Sequence, residues 1–215
     1  MGLRSPLVLD PYFAAFDLLT RDLHKLLEYI EPTDDNRKTY SHRTYELLLR
    51  VCTECESVWR DMVERSTWNT KKRDDLNGSD YRKLNADHEL SCFRVRLPFW
   101  RPNRHNISSP FGWIPHVTPF EAWGTPDAGL RWYQDHHAVK HNRNLEFPLA
   151  SFENVCLAFA GLFLTLAVLQ PNGFETGMFA CAHHNGNHAH TKTKDFEMYC
   201  EESANIFPDD QPLQT

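Results

Sequence analysis

Fifteen consecutive residues, from Val155 to Leu169, carry no charge and a single hydroxyl, at Thr165. A helix that is apolar on all sides must be covered on all sides, by protein or by lipid. A membrane span needs about 20 apolar residues, so this length favours burial in protein. The rest of the chain then has to supply the cover. Immediately before it, Arg131–Arg143 (RWYQDHHAVKHNR) packs three histidines, one lysine and two arginines into 13 residues. A polar, His-rich helix joined to a buried one is a way to hold a reactive or binding surface on a rigid core.

The cover is legible as further helices. Asp10-Pro11 predicts a helix start, with Asp as N-cap and Pro at the first position. Tyr12, Phe16, Leu19, Leu23, Leu26 and Ile30 then recur at spacings of three and four, and Glu31-Pro32 ends the pattern. A second helix starts near Ser41, with Tyr45, Leu48, Leu49, Cys52, Cys55, Trp59 and Met62 on one stripe. The short polar link between the two predicts an antiparallel pair. Residues 66–79 read as a loop, Ser79 as the cap of a short helix to about Leu90, and the alternation in SCFRVRL as an extended segment.

Between Pro98 and Gly129 six prolines exclude a long helix, while Phe99, Trp100, Phe111, Trp113, Phe120 and Trp123 are too many aromatics for a disordered linker. This predicts an ordered, irregular loop over the helices. Helix resumes over 127–143, and Ser151 caps the apolar helix. The expected fold is all-α: an antiparallel helical bundle of four to five main helices with a long Pro/aromatic-rich ordered loop. The bundle with its loop 98–129 occupies 1–170. An extension, 171–215, is expected to be partly irregular, with a short helix over DFEMYCEESANIF (195–207).

At 215 residues the chain can bury a core without disulfides. No secretory apolar segment precedes Asp10, so the six cysteines are read as reduced thiols and a cytoplasmic location is expected. Cys52 and Cys55 form a CxxC inside a helix, which reads as two small core residues rather than a redox pair. The net charge of −6 argues against a general nucleic-acid coat but leaves room for a local basic patch. P-loop, GxGxxG, GxSxG and kinase motifs are absent, and no cofactor is expected.

Three constellations carry chemistry. On the helix 131–144, Tyr133, His137, His141 and Asn144 fall on one face, and Trp132, His136, Val139 and Arg143 on another. The first face could supply a general acid or base with an orienting partner, and Lys140 and Arg143 could meet phosphate. The alternative is that these histidines close the core against the aromatic loop. Segment 90–120 holds Arg94, Arg96, Arg101, Arg104, His105 and His116 and no acid, interleaved with Phe93, Phe99 and Trp100. That composition suits single-stranded RNA or a nucleotide; equally, the arginines could pair with carboxylates of the first two helices. Last, Cys181, His183, His184, His188 and His190 have spacings that could ligate zinc or nickel, although a flexible His-rich surface loop is the plainer reading.

YSHRTYELLLRVCTECESVW, LRWYQDHHAVKHNR and ENVCLAFAGLFLTL together resemble the HEPN-type all-α bacterial proteins, in particular an uncharacterised subgroup with a KHxR helix. The resemblance covers about residues 10–170. It implies a helical bundle, a homodimer, and RNA or nucleotide as partner in a stress or phage-defence setting, without membrane association. Catalytic members of the family are metal-independent ribonucleases with Arg-x(4–6)-His. Here that spacing occurs as Arg37…His42, Arg82…His88, and Arg131 with His136 or His137. Only Arg131 lies in the expected late helix, and Trp132 follows it where the family commonly has a polar residue. The resemblance makes Arg131, His137, Lys140, His141 and Arg143 the candidate catalytic residues, while the acid-free composition of segment 90–120 makes Arg94, Arg96, Arg101 and Arg104 the candidate nucleic-acid contacts.

Overall fold

A computed structural model describes residues 9–101, 116–169, 179–183, 186–192 and 197–200. The fold is an all-α helical bundle with a small antiparallel sheet at one side. Its helices are α1 (Asp10–Leu27), α2 (His42–Arg65), the one-turn pieces α3 (Gly78–Arg82) and α4 (Leu84–His88), then α5 (Arg131–His141), α6 (Arg143–Glu146) and α7 (Phe152–Leu169).

The apolar helix α7 is the axis. Phe159, Phe163 and Leu166 are buried on one side of it, and Ala158, Ala160, Leu164 and Thr165 are buried around the rest of its circumference. Its main partner is α2, and α1 and α5 pack on the flanks. From α1, Phe16 lies edge-on to Phe159 at 6.4 Å and beside Phe163 at 6.2 Å. The CxxC cysteines are fully buried and free, facing α7, with Cys55 Sγ 3.8 Å from the Ala158 carbonyl. Burial pushes both thiols well above their usual range, which makes them inert packing groups.

Trp59 sits where α2, α3, α5, α7 and the aromatic loop meet. Its ring is completely buried, 5.4 Å from each of Trp123 and Tyr133 and 5.6 Å from Tyr81. Its indole N–H donates to Thr165 Oγ1 at 3.2 Å, and the Thr165 hydroxyl donates in turn to the Gly161 carbonyl at 2.8 Å. The single hydroxyl of α7 thus satisfies an indole that could not otherwise be buried without cost. Gly161 is needed by shape: a Cβ there would stand 3.1 Å from Trp132 Cζ2.

Local signals set most helix ends. Ser41 and Thr44 form a reciprocal capping box on α2, and Ser151 Oγ accepts from Asn154 N at 3.3 Å to cap α7. Helix α1 begins at Asp10 itself, with Leu9 rather than Asp10 outside it. The cap of α3 is Asn77 and not Ser79: the Asn77 carbonyl oxygen accepts from Ser79 N, and Asp80 accepts from Asn77 N. Of the aromatic loop, 102–115 lies outside the described residues. Its flanks are ordered core, with Trp100 stacked on Phe152 at 5.6 Å and Phe120 and Trp123 buried against Trp59.

The alternating segment 91–97 forms β1 (Phe93–Arg96), which pairs with β2 (His116–Val117). Strands β3 (Phe179–His183), β4 (Gly186–Lys192) and β5 (Glu197–Cys200) complete an antiparallel sheet of order β2-β1-β5-β4-β3. This corrects two expectations. The His-rich segment 181–190 is a hairpin rather than a flexible loop. Residues Glu197–Cys200 are a strand rather than part of a helix, because they find the open edge of β1, with Phe93 opposite Cys200. The remainder of the expected helix 195–207 lies outside the described residues.

Replacing Trp59 by Ala removes the shared partner of three helices and takes away the donor to Thr165 Oγ1, leaving that hydroxyl only its bond to the Gly161 carbonyl. We expect a loss of about 3–5 kcal/mol, read from the urea midpoint at constant m-value.

Candidate functional site

The residues of α5 divide into a buried side and an exposed row. On the buried side Tyr133 and His136 are sealed in the bundle, and His137 is at its rim with 42% of its side chain exposed. What they face is Glu56, a carboxylate carried into the core by the apolar stripe of α2.

Glu56 is tied down by Tyr133 of α5 and Arg60 of its own helix, and Arg60 is itself anchored on Tyr81 of α3. Tyr133 Oη donates to Oε1 at 3.0 Å, Arg60 Nη2 donates to Oε2 at 3.2 Å, and Arg60 Nε donates to Tyr81 Oη at 3.0 Å. His137 Nε2 lies 3.7 Å from Oε1. Burial, reinforced by the Glu56 charge, raises the Tyr133 phenol, so it stays protonated and remains a donor. For His137 burial lowers the pKa, helped by Lys140 and His141 and opposed by Glu56. One phenol and a guanidinium thus hold the two oxygens of one carboxylate in a fixed orientation.

His136 is the anomaly. It is 1% exposed, and among the described residues neither Nδ1 nor Nε2 has a hydrogen-bond partner. Burial, with the nearby His137, Lys140 and His141, pushes it down to about 3. A sealed imidazole with both nitrogens unmatched is costly, of order 1–3 kcal/mol per group, and it sits within reach of other donor atoms. One ligand atom from each of Glu56, His136 and His137 can be chosen so that all three lie within 4.8 Å of one another.

The exposed row continues from His137 through Lys140 and His141, whose ring lies parallel to that of His137 at 6.1 Å. Lys140 and His141 make no ion pair with a carboxylate among the described residues. The helix breaks at Asn142, so Arg143 and Asn144 leave the register that a continuous helix would give them. Arg143 instead lies 4.9 Å above Tyr45 and 5.5 Å from Phe147, with Nη2 2.7 Å from His42 Nδ1.

The other candidates are dispersed. Arg131 turns to Asp135 (2.8 Å), whose other oxygen accepts from Asn154 Nδ2 at 2.9 Å; this braces α5 against α7, and no contact joins Arg131 to His137. Arg101 reaches Glu31 at 3.5 Å, as the pairing alternative for the loop arginines anticipates. Arg94 and Arg96 lie half-buried in β1, and Arg104 is outside the described residues. The hairpin register sets Cys181 opposite His188 and His183 opposite Gly186, while His184 is outside the described residues. A separate groove of about 620 Å³ between the end of α1 and α2 is lined by charges that satisfy one another, such as Asp22 with Arg50 and Arg43 with Glu46.

Sequence reasoning did not single out Glu56; it grouped His136 with Trp132 and Val139, and all three are buried, but it placed Tyr133 on a separate face. A signal existed: Glu56 follows Cys52 by four residues and precedes Trp59 by three, so it interrupts the apolar stripe of α2. For His136, a 3.6-residue period puts it 60° from Tyr133, close enough to share the buried sector.

Comparison with protein families, with curated proteins and with solved structures finds no match to this chain.

His136 makes stability acid-sensitive. The unfolded chain takes up this proton near the ordinary value of 6.5 and the folded protein only near 3. Between those values the unfolded state binds more protons, so stability is complete above about pH 6.5 and falls as pH drops toward 3. With EDTA present throughout, His136→Leu is expected to flatten that slope between pH 7 and 4, and to leave stability at pH 7 equal or higher, in urea titrations at stepped pH.

Proposed function

We propose that the protein binds phosphate groups of RNA or of a nucleotide on the surface formed by the end of α5 and the start of α2. The observation that carries the reading is the exposed row of Lys140 and His141, which make no ion pair with a carboxylate among the described residues, continuing into Arg143. Unpaired cations on a protein of net charge −6 are held where they attract anions rather than where they neutralise the protein's own acids. Arg143 lies over Tyr45 and Phe147, so this end of the surface offers aromatic faces beside a guanidinium, the combination that accepts an unstacked base next to its phosphate. The HEPN-type resemblance of the sequence points to the same ligand class. The loop arginines contribute less, since Arg101 is engaged with Glu31.

A second reading, metal-independent RNA cleavage, has one specific observation in its favour: His137 stands beside Glu56, which could orient it as a general base. The Arg131 that the family pattern would add is bonded to Asp135 instead, which favours binding over turnover.

The test is fluorescence anisotropy with a labelled mixed-sequence single-stranded RNA across a salt series. We expect micromolar binding that weakens steeply with salt. The triple variant Lys140→Ala, His141→Ala, Arg143→Ala should lose at least tenfold in affinity and about two units of the salt slope. An unchanged affinity would sink the reading. Cleavage of the same RNA in EDTA, lost in His137→Ala, would decide for the second.

A further inference from the structure

We propose that Glu56, His136 and His137 form a binding site for a divalent transition-metal ion of the zinc class. The inference is independent of the phosphate-binding surface.

Two imidazoles and one carboxylate are a donor set that such ions take, with protein ligands on one side and the remaining position open. Here the three donors converge from two helices, with their ligand atoms within 4.8 Å of one another. Zinc–ligand distances of about 2.0–2.2 Å put neighbouring ligands roughly 3.4 Å apart in a tetrahedron. The widest pair therefore has to close by up to about 1.4 Å, toward which side-chain rotation of His137 at the rim contributes.

His136 points independently to a ligand. Both its nitrogens lack a partner at 1% exposure, and buried polar groups in folded proteins are almost always matched. The sealed histidine beside an oriented carboxylate is explained if one of its nitrogens binds a metal. The surroundings also match what a metal ligand needs. Metal binding requires neutral imidazoles, and burial lowers both His136 and His137. The carboxylate is held by an outer shell: Tyr133 donates to the oxygen nearest His137, while Arg60 engages the other oxygen. Oε1 would therefore be the ligating atom. The partly exposed His137 gives the ion a route in and leaves an open position toward the Lys140 face for water or an anion.

The hairpin histidines are the rival site and must be separated from this one. The register sets Cys181 opposite His188 and Phe179 opposite His190, with His183 two residues after Cys181 on β3. The experiment strips the full chain with EDTA, removes the chelator, and titrates it with Zn²⁺ against a chromophoric competitor and with Co²⁺ by visible absorption. The wild type should bind an ion whose affinity falls at least tenfold in Glu56→Gln and in His137→Asn and is unaltered in His188→Ala with His190→Ala. Zn²⁺ should raise the melting temperature of the wild type and of the hairpin variant, and leave that of Glu56→Gln unmoved. His137→Asn lies at the rim, so it reports even if changes at the sealed positions prevent folding. Absence of binding, or binding lost only in the hairpin variant, would overturn the proposal. RNA affinity measured on the stripped and loaded protein keeps the two proposals separable: loss of RNA binding would leave the metal result standing, and the reverse.

Discussion

Everything in this molecule is arranged around the need to cover α7. A helix with Phe159, Ala160, Leu162 and Leu164 all buried around its circumference has no solvent face to spare, so α1, α2, α5 and the flanks of the aromatic loop all close on it. Burial at this scale supplies the driving force, with each large apolar side chain contributing about 1.5–3 kcal/mol. The one polar group on the apolar run, Thr165, is placed to accept the Trp59 indole, which lets the aromatic centre close without an unmatched donor. Gly161, one turn earlier, lets Trp132 approach the backbone. The helix is apolar by demand of its position and interrupted only where a neighbour needs an acceptor or space.

Against that background the Glu56 cluster is out of place by the logic of stability alone. A carboxylate, two histidines, a guanidinium and two phenols converge where α2, α3 and α5 meet. Tyr133 and Arg60 satisfy Glu56, but His136 has no hydrogen-bond partner among the described residues. Native cores retain few such groups, and where they do a functional role is the common physical explanation. The cluster and the exposed row are continuous along α5, from His136 in the core through His137 at the rim to Lys140 and His141 in solvent. One helix therefore connects a sealed donor set to a cationic surface.

Much of the bundle was legible because the helix signals are local. Apolar spacings of three and four marked α1 and α2, Ser41 and Ser151 announced two caps, and the uncharged run identified α7. The break of α5 at Asn142 was not legible; nothing in KHNRN separates a continuing helix from one that stops, and the stop moves Arg143 onto Tyr45 and Phe147. The strand at Glu197–Cys200 was missed for a different reason. Its partner β1 is about a hundred residues away, and edge pairing is a property of what lies alongside rather than of the segment itself.

The site divides along the same line. The sequence by itself determined that α5 carries histidines and cations, that α7 is buried, and that the chain holds a helical pair in front of them, since periodicity and charge are written residue by residue. Only the tertiary structure decided that Glu56 meets His136 and His137, that Arg131 belongs to Asp135, and that Lys140 and His141 make no ion pair among the described residues. Those outcomes depend on the rotation of α2 and α5 about their axes as they pack on α7. A rotation of one residue's width, about 100°, exchanges which side chains face each other; the packing of the whole core sets it, and no single segment encodes it.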